Sequence, residues 1–321
     1  MLAPRRLRSA GLPTLLALAA GLAAMARYNR TRSRRASSMQ SRDSFVLVHG
    51  VRLHYLRRGR GLPLVLLHGN GSTAEDFEAS GIIERSKESF DVIAFDRPGF
   101  GRTLRSDRNW TPSAQADLFA AALKQMGVDR YVVLGHSWGT LVALQLALRY
   151  ARDVAGLVLL SGYYYPKVRP AIVFGAAPAL PVAGTVLRNT LLPPLVRIAW
   201  PVFLRIAFGP TKAPAAFRTR MKHLASRPSQ LAAVAAEAAF LLSEAMVRRD
   251  YGSVAVPTAI LAGLEDNLID AQRQAAALHQ VIPASFMETL PAAGHMLHHS
   301  APDEVRRVIG IVASLVARSP S

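Results

Sequence analysis

A chain of 321 residues is long enough for one large hydrophobic core plus an inserted subdomain. Half of its residues are apolar and 19% are charged, which excludes a disordered chain, and the absence of cysteine excludes disulfides, thiolate metal sites and cysteine nucleophiles. The net charge of +18 is unevenly spread: residues 1–42 hold nine arginines and no acid, residues 163–250 hold twelve Lys/Arg against three acids, and the rest of the chain is balanced at 18 against 18. Both basic regions are rich in apolar residues and carry no nucleic-acid-binding motif, so the expected charged partner is an anionic membrane surface rather than nucleic acid.

In chain order, the first feature is an uncharged, largely apolar run of 17 residues from Ala10 to Ala26, flanked on both sides by arginines. It reads as a short membrane anchor or surface helix, near the lower length limit for a span. The alternative is a signal peptide cleaved after Ala24-Met25-Ala26 and an exported protein. The dense arginines after that site favour retention, and their bias toward the C-terminal flank favours a cytoplasmic location for the remainder of the chain. Arg27 to Arg42 is basic, Ser-rich and without an apolar period, and is expected to be a linker.

From Phe45 to Leu56 the pattern predicts a hairpin turning at His49-Gly50. Thereafter Leu62–Leu67, Val92–Phe95, Tyr131–Leu134, Val154–Leu160 and Thr258–Ala262 are short, continuously apolar runs, as expected of parallel strands buried on both faces. Helical patterns separate most of them, at Thr73–Ser86, Thr111–Met126, Ser137–Tyr150, Ala271–His279 and Asp303–Val316. The fold class is therefore α/β, a mostly parallel, doubly wound sheet whose ligands bind at the carboxyl ends of the strands. Between Gly162 and Asp250 the alternation lapses into Pro-broken, Ala/Leu-rich helical sequence. The expected organisation is an N-terminal arm at 1–42, a sheet domain at 43–162 and 251–321, and a helical cap at 163–250. Residues 171–208 of this cap carry three charges, Arg188, Arg197 and Arg205, so its apolar surface is expected to pack on the sheet domain; the alternative is a cap that also lies on the membrane and passes apolar substrates into the pocket.

Four short motifs carry chemistry. Gly135-His136-Ser137-Trp138-Gly139 follows a buried strand and precedes a helix, the context in which a tight turn strains a serine and flanking glycines remove clashing side chains. Leu67-His68-Gly69-Asn70-Gly71 ends another strand, where the backbone N–H groups of Asn70 and Trp138 are the candidate donors to a developing oxyanion. His68 is read as a structural hydrogen-bonding partner. The third motif, Leu264-Glu265-Asp266-Asn267, and the fourth, Gly294-His295, complete a chain order of Ser, Asp, His. A serine hydroxyl needs an imidazole to take its proton, and the imidazole needs a carboxylate to fix its tautomer. Ser137, His295 and Asp266 are accordingly the candidate nucleophile, base and orienting acid, with Glu265 and Asp270 as rivals for the acid. His298 and His299 raise the thought of zinc, but no H-E-x-x-H pattern accompanies them, and they are expected to lie on the surface or just behind the site. No cofactor or metal is expected.

These motifs, together with Asp96-Arg97-Pro98-Gly99-Phe100-Gly101, resemble the α/β-hydrolase superfamily in its capped, single-domain branch, from about Ser44 to Ala317. The resemblance implies the α/β-hydrolase fold. Relatives that cleave epoxides or haloalkanes attack with aspartate at the position Ser137 fills, so those chemistries are disfavoured. The serine-bearing chemistries share one triad, and the leading reading among them is a serine hydrolase for a carboxylic ester with an apolar acyl or alkyl group. The other readings are a thioester, amide or carbon–carbon hydrolase, an acyltransferase, a haloperoxidase-like enzyme, or a non-catalytic binding member of the fold.

Overall fold

The computed structural model describes residues 12–35, 44–165, 175–244 and 250–318. The opening residues of the N-terminal arm, residues 36–43 at the end of the expected linker and the start of the expected sheet domain, stretches 166–174 and 245–249 of the expected cap, and the last three residues lie outside them.

Eight strands form one sheet: β1 (Ser44–Val48), β2 (Val51–Arg58), β3 (Leu62–Leu67), β4 (Phe90–Phe95), β5 (Tyr131–His136), β6 (Val154–Leu160), β7 (Thr258–Gly263) and β8 (Ser285–Leu290). Their spatial order is β1-β2-β4-β3-β5-β6-β7-β8. The β1/β2 and β2/β4 pairs are antiparallel, and all later pairs are parallel. Side chains alternate between two cores: Val65, Leu67, Val133 and Ile260 face one, and Leu64, Leu66, Leu134 and Leu261 face the other. This two-sided burial is why the central strands read as unbroken apolar runs rather than as alternating ones. It is the α/β-hydrolase fold.

Helices cover both faces. On one side lie α4 (Pro112–Gln125), α5 (Gly139–Arg149) and α10 (Ala271–His279); on the other lie α2 (Ala74–Ala79), α3 (Ile82–Ser86), α11 (Leu297–Ser300) and α12 (Pro302–Arg318). The single helix expected over Thr73–Ser86 is instead α2 and α3, broken where Gly81 takes φ +78°.

Between β6 and β7 the described chain is helical, with α6 (Val182–Asn189), α7 (Leu192–Phe208), α8 (Ala215–Ala225) and α9 (Pro228–Glu244). Trp200, Leu204, Phe208, Phe217, Met221 and Leu224 form a core of their own, joined by Met296 from the sheet side.

The N-terminal helix α1 runs from Leu12 to Arg35, so the linker expected from Arg27 begins at least nine residues too early. No glycine or proline interrupts residues 27–35, and a helix once nucleated propagates through residues of fair propensity. Asn29 also anchors it: its buried Nδ2 donates to the carbonyls of Asn189 (2.9 Å) and Thr190 (3.1 Å), acceptors at the end of α6 that no later turn of that helix satisfies. Among the described residues no single helix is long and apolar enough to cross a membrane. Helices α6 and α7, bent by 64°, pass that test only as a pair.

Candidate functional site

Ser137 sits in the turn between β5 and α5 with φ +52°, a conformation that costs a non-glycine residue energy and persists only where the surroundings enforce it. The enforcement is visible. Its N–H donates to the carbonyl of Leu160 on β6 (2.8 Å). A Cβ on Gly139 would lie 2.2 Å from the carbonyl oxygen of Leu67, and one on Gly135 would lie 2.7 Å from Gly139 and Thr140 backbone atoms. Both flanking glycines are therefore required by close backbone approach.

His295 follows β8, and its Nε2 lies 2.9 Å from Ser137 Oγ while its Nδ1 lies 2.7 Å from Asp266 Oδ2. The carboxylate can only accept, so Nδ1 carries the proton and Nε2 is left to accept from the serine hydroxyl. Asp266 lies in the loop after β7, its side chain 1% exposed, and its Oδ1 accepts from the N–H groups of Leu268 (2.9 Å) and Ile269 (3.0 Å). The structure thus brings Ser137, His295 and Asp266 into one hydrogen-bonded line. The rival acids stand apart: Glu265 is exposed, and Asp270 caps α10 by accepting from Arg273 N–H (3.1 Å).

The loop after β3 lies against Ser137, since a Cβ built on Gly69 would be 3.1 Å from Ser137 Cβ. Among the described residues, the backbone N–H groups of Asn70 and Trp138 meet no protein acceptor. His68 is buried in this loop; its Nδ1 donates to Gly69 O (2.8 Å) and its Nε2 accepts from Arg97 N–H (3.0 Å). Burial, reinforced by the Arg97 charge, pushes its pKa down to about 3, which keeps it a neutral structural histidine.

His298 and His299 are not surface residues. Their side chains are 0% and 1% exposed, because α11 inserts them beneath the His295 loop. Both Nε2 atoms point at Asp76 of α2, at 3.0 and 2.6 Å, and Ser72 Oγ donates to the same carboxylate at 2.7 Å. Burial acts to raise the Asp76 pKa, but the two histidines outweigh it and hold it well below the usual range. Two imidazoles and a carboxylate with ligand atoms within 4.8 Å of one another could hold a metal ion. Here the two Nε2 atoms face the Asp76 carboxylate instead, and neither Nδ1 has a hydrogen-bond partner among the described residues. Asp76 lies in none of the four motifs, and its role arises only from α2 meeting α11.

Two further residues escaped the sequence reading. His136 donates from Nε2 to the carbonyl of His295 (3.0 Å), and its ring lies 4.4 Å from that of His298. Glu237 of α9 forms a buried ion pair with Arg97. The available signal for Glu237 was that it is the one charged residue in the apolar stretch 229–243, a position where a charge is retained only if it is paired.

Residues 64–308 match the sequence model of a family described as the Alpha/beta hydrolase family. Haloalkane dehalogenase 2 of Mycobacterium tuberculosis is 26% identical over 266 residues, covering 80% of this chain and 90% of that protein. Among solved structures, a thermophilic esterase from Thermogutta terrifontis superposes with a TM-score of 0.67 at 23% identity, over 87% of this chain and 99% of its own. A membrane phospholipase A superposes with a TM-score of 0.70 at 20% identity, over 96% of this chain and 98% of its own.

Proposed function

The chain belongs to the alpha/beta hydrolase family, and on that premise we propose that it is a serine hydrolase cleaving a carboxylic ester with an apolar acyl or alkyl group. The observation that carries this reading is the continuous line from Ser137 Oγ through His295 to Asp266, at 2.9 and 2.7 Å. In the proposed reaction Ser137 attacks the ester carbonyl as His295 Nε2 takes its proton, and Asp266 stabilises the imidazolium. Negative charge on the carbonyl oxygen is met by the N–H groups of Asn70 and Trp138 and by the N-terminus of α5. His295 then protonates the leaving alkoxide, and a water deprotonated by the same nitrogen releases the acid from acyl-Ser137.

The apolar side of the proposal rests on the helices between β6 and β7. Phe240 of α9 packs edge-on against Trp138, the residue after the nucleophile, with ring centroids 6.2 Å apart. Labelling by a fluorophosphonate, followed by a panel of esters of rising chain length, tests the assignment. Labelling should vanish in Ser137→Ala, turnover should fall by several orders of magnitude, and the preferred esters should be the longer ones. Persistent labelling of the variant would sink it.

We further propose that the protein works at a membrane, through α1 and a cap formed by α6 to α9, with the catalytic domain on the cytoplasmic side. Val182, Ile198 and Val202 are 79%, 75% and 57% exposed, alongside Leu195 and Phe203. An apolar surface of that extent on two adjoining helices is costly in water. Arg188 and Arg205 lie among them, as suits an anionic lipid surface. Docking of α1 on α6 through Asn29 makes the two basic, apolar regions neighbours.

A further inference from the structure

Arg97, in the turn after β4, is fully buried and uses all of its donor groups. Nε donates to the carbonyl of His68 (2.8 Å) and Nη2 to that of Gly69 (3.0 Å). Nη1 reaches Gln115 Oε1 (3.3 Å), and the two terminal nitrogens clasp the Glu237 carboxylate, Nη2 to Oε2 at 3.2 Å. Its guanidinium also lies between the rings of Phe100 and Trp138, 4.7 and 4.6 Å from their centroids. One cation therefore grips the two carbonyls immediately before Asn70 and the side chain of Trp138. Those are the residues whose N–H groups are the proposed oxyanion donors.

The counter-charge comes from elsewhere in the chain, 140 residues later. Glu237 belongs to α9, and so do Gln230 and Val234, which share its helix face at i, i+4 and i+7. Gln230 Nε2 donates to the carbonyl of Gly71 (2.9 Å), and the Val234 carbonyl accepts from Asn70 Nδ2 (3.4 Å). A single helix face thus addresses residues 70 and 71 directly and 68 and 69 through Arg97. Burying a guanidinium without its carboxylate is strongly unfavourable, so withdrawing Glu237 would release Arg97 from its seat.

We propose that Glu237 and Arg97 are positioning residues through which the seated α9 shapes the oxyanion-forming loop, making this helix a required part of the active site rather than a cover over it. The proposal rests on the reading of Asn70 and Trp138 as the oxyanion donors.

The test uses the full chain carrying Glu237→Gln, and separately Arg97→Met with Glu237→Leu, which removes both charges at similar volume and keeps the core apolar. Two readouts are taken on protein of native circular dichroism. Amide hydrogen exchange should accelerate at residues 68–71 and at Trp138 in both variants. With an ester substrate, kcat should fall about 10²- to 10³-fold, the loss expected when one oxyanion donor is misplaced, while KM changes less than threefold. Unchanged exchange at 68–71 in a folded variant overturns the proposal, as does a variant that loses thermal stability but keeps kcat. If the wild-type protein proves inactive on esters, the proposed reaction fails, and the exchange measurement still decides whether α9 holds the loop.

Discussion

His136 and His295 are tied side chain to backbone: the imidazole of the residue before Ser137 donates from Nε2 to the carbonyl of the histidine that faces Ser137, at 3.0 Å. A carbonyl only accepts, so the proton lies on Nε2 and Nδ1 is bare, and that atom has no protein partner. The elbow and the His295 loop, 158 residues apart, are therefore joined twice, once through Ser137 and once beneath it.

His136→Phe keeps the ring volume and removes this donor. The His295 loop should loosen, and kcat on an ester should fall roughly 10- to 100-fold with little change in KM, since small misplacements of a reacting group are costly. Steady-state kinetics check this. An unchanged kcat would mean that the Ser137 and Asp266 contacts alone hold His295 in place.

Asp266→Asn should lower turnover by ~10⁴, the size known for this change in another triad enzyme, because the imidazole would be held in the wrong tautomer. Glu265→Gln should be nearly silent. So should Asp270→Asn, as asparagine caps a helix as well as aspartate. If Asp270→Asn proves the crippling change, the orienting carboxylate has been misassigned.

Stability should decline as pH falls below about 6.5. Burial is the first cause in each of three histidines: His68 is pushed down to about 3, His136 well below its ordinary range, and His298 below it despite Asp76. Each is more easily protonated in the unfolded chain. Between the unfolded value and the lower folded one, the unfolded state binds more protons and stability drops with pH. The slope approaches about 1.4 kcal/mol per pH unit for each group. Glu237 opposes this, since burial raises its pKa against the pull of Arg97. Asp76 and Asp96, both lowered, weaken the fold only at still lower pH. Urea unfolding at pH 7.5, 6 and 5 measures the sum, and pH-independent stability across that range would contradict it.

Val182→Glu combined with Ile198→Glu places charge at the two most exposed points of the α6–α7 face. The full-length variant should sediment less with anionic vesicles than the wild-type protein, and salt should weaken the wild-type interaction. Equal sedimentation of the two at low salt would show that this face does not meet lipid and that any membrane contact runs through α1.

Legibility in the sequence tracks the range of the forces behind each feature. The strands β3 to β7 could be read directly, because burial on both faces leaves an unbroken apolar run in the sequence itself. Ser137, Asp266 and His295 were legible for a related reason: each stands in a turn at a strand's carboxyl end, where local backbone geometry restricts the residues on either side, as Gly135 and Gly139 show. The break at Gly81 and the extension of α1 to Arg35 were missed. Both are settled by local turns and docking contacts that a periodicity cannot see. Which of three carboxylates meets His295 was left open by order in the chain, because Glu265, Asp266 and Asp270 all stand between Ser137 and His295; only the paths of the β7 and β8 loops bring Asp266 to it and leave Glu265 exposed. Arg97 with Glu237, and Asp76 with His298 and His299, belong to the tertiary structure alone. Their partners lie 140 and more than 220 residues apart, and a charge becomes tolerable in a core only when folding supplies its partner, which no local pattern records.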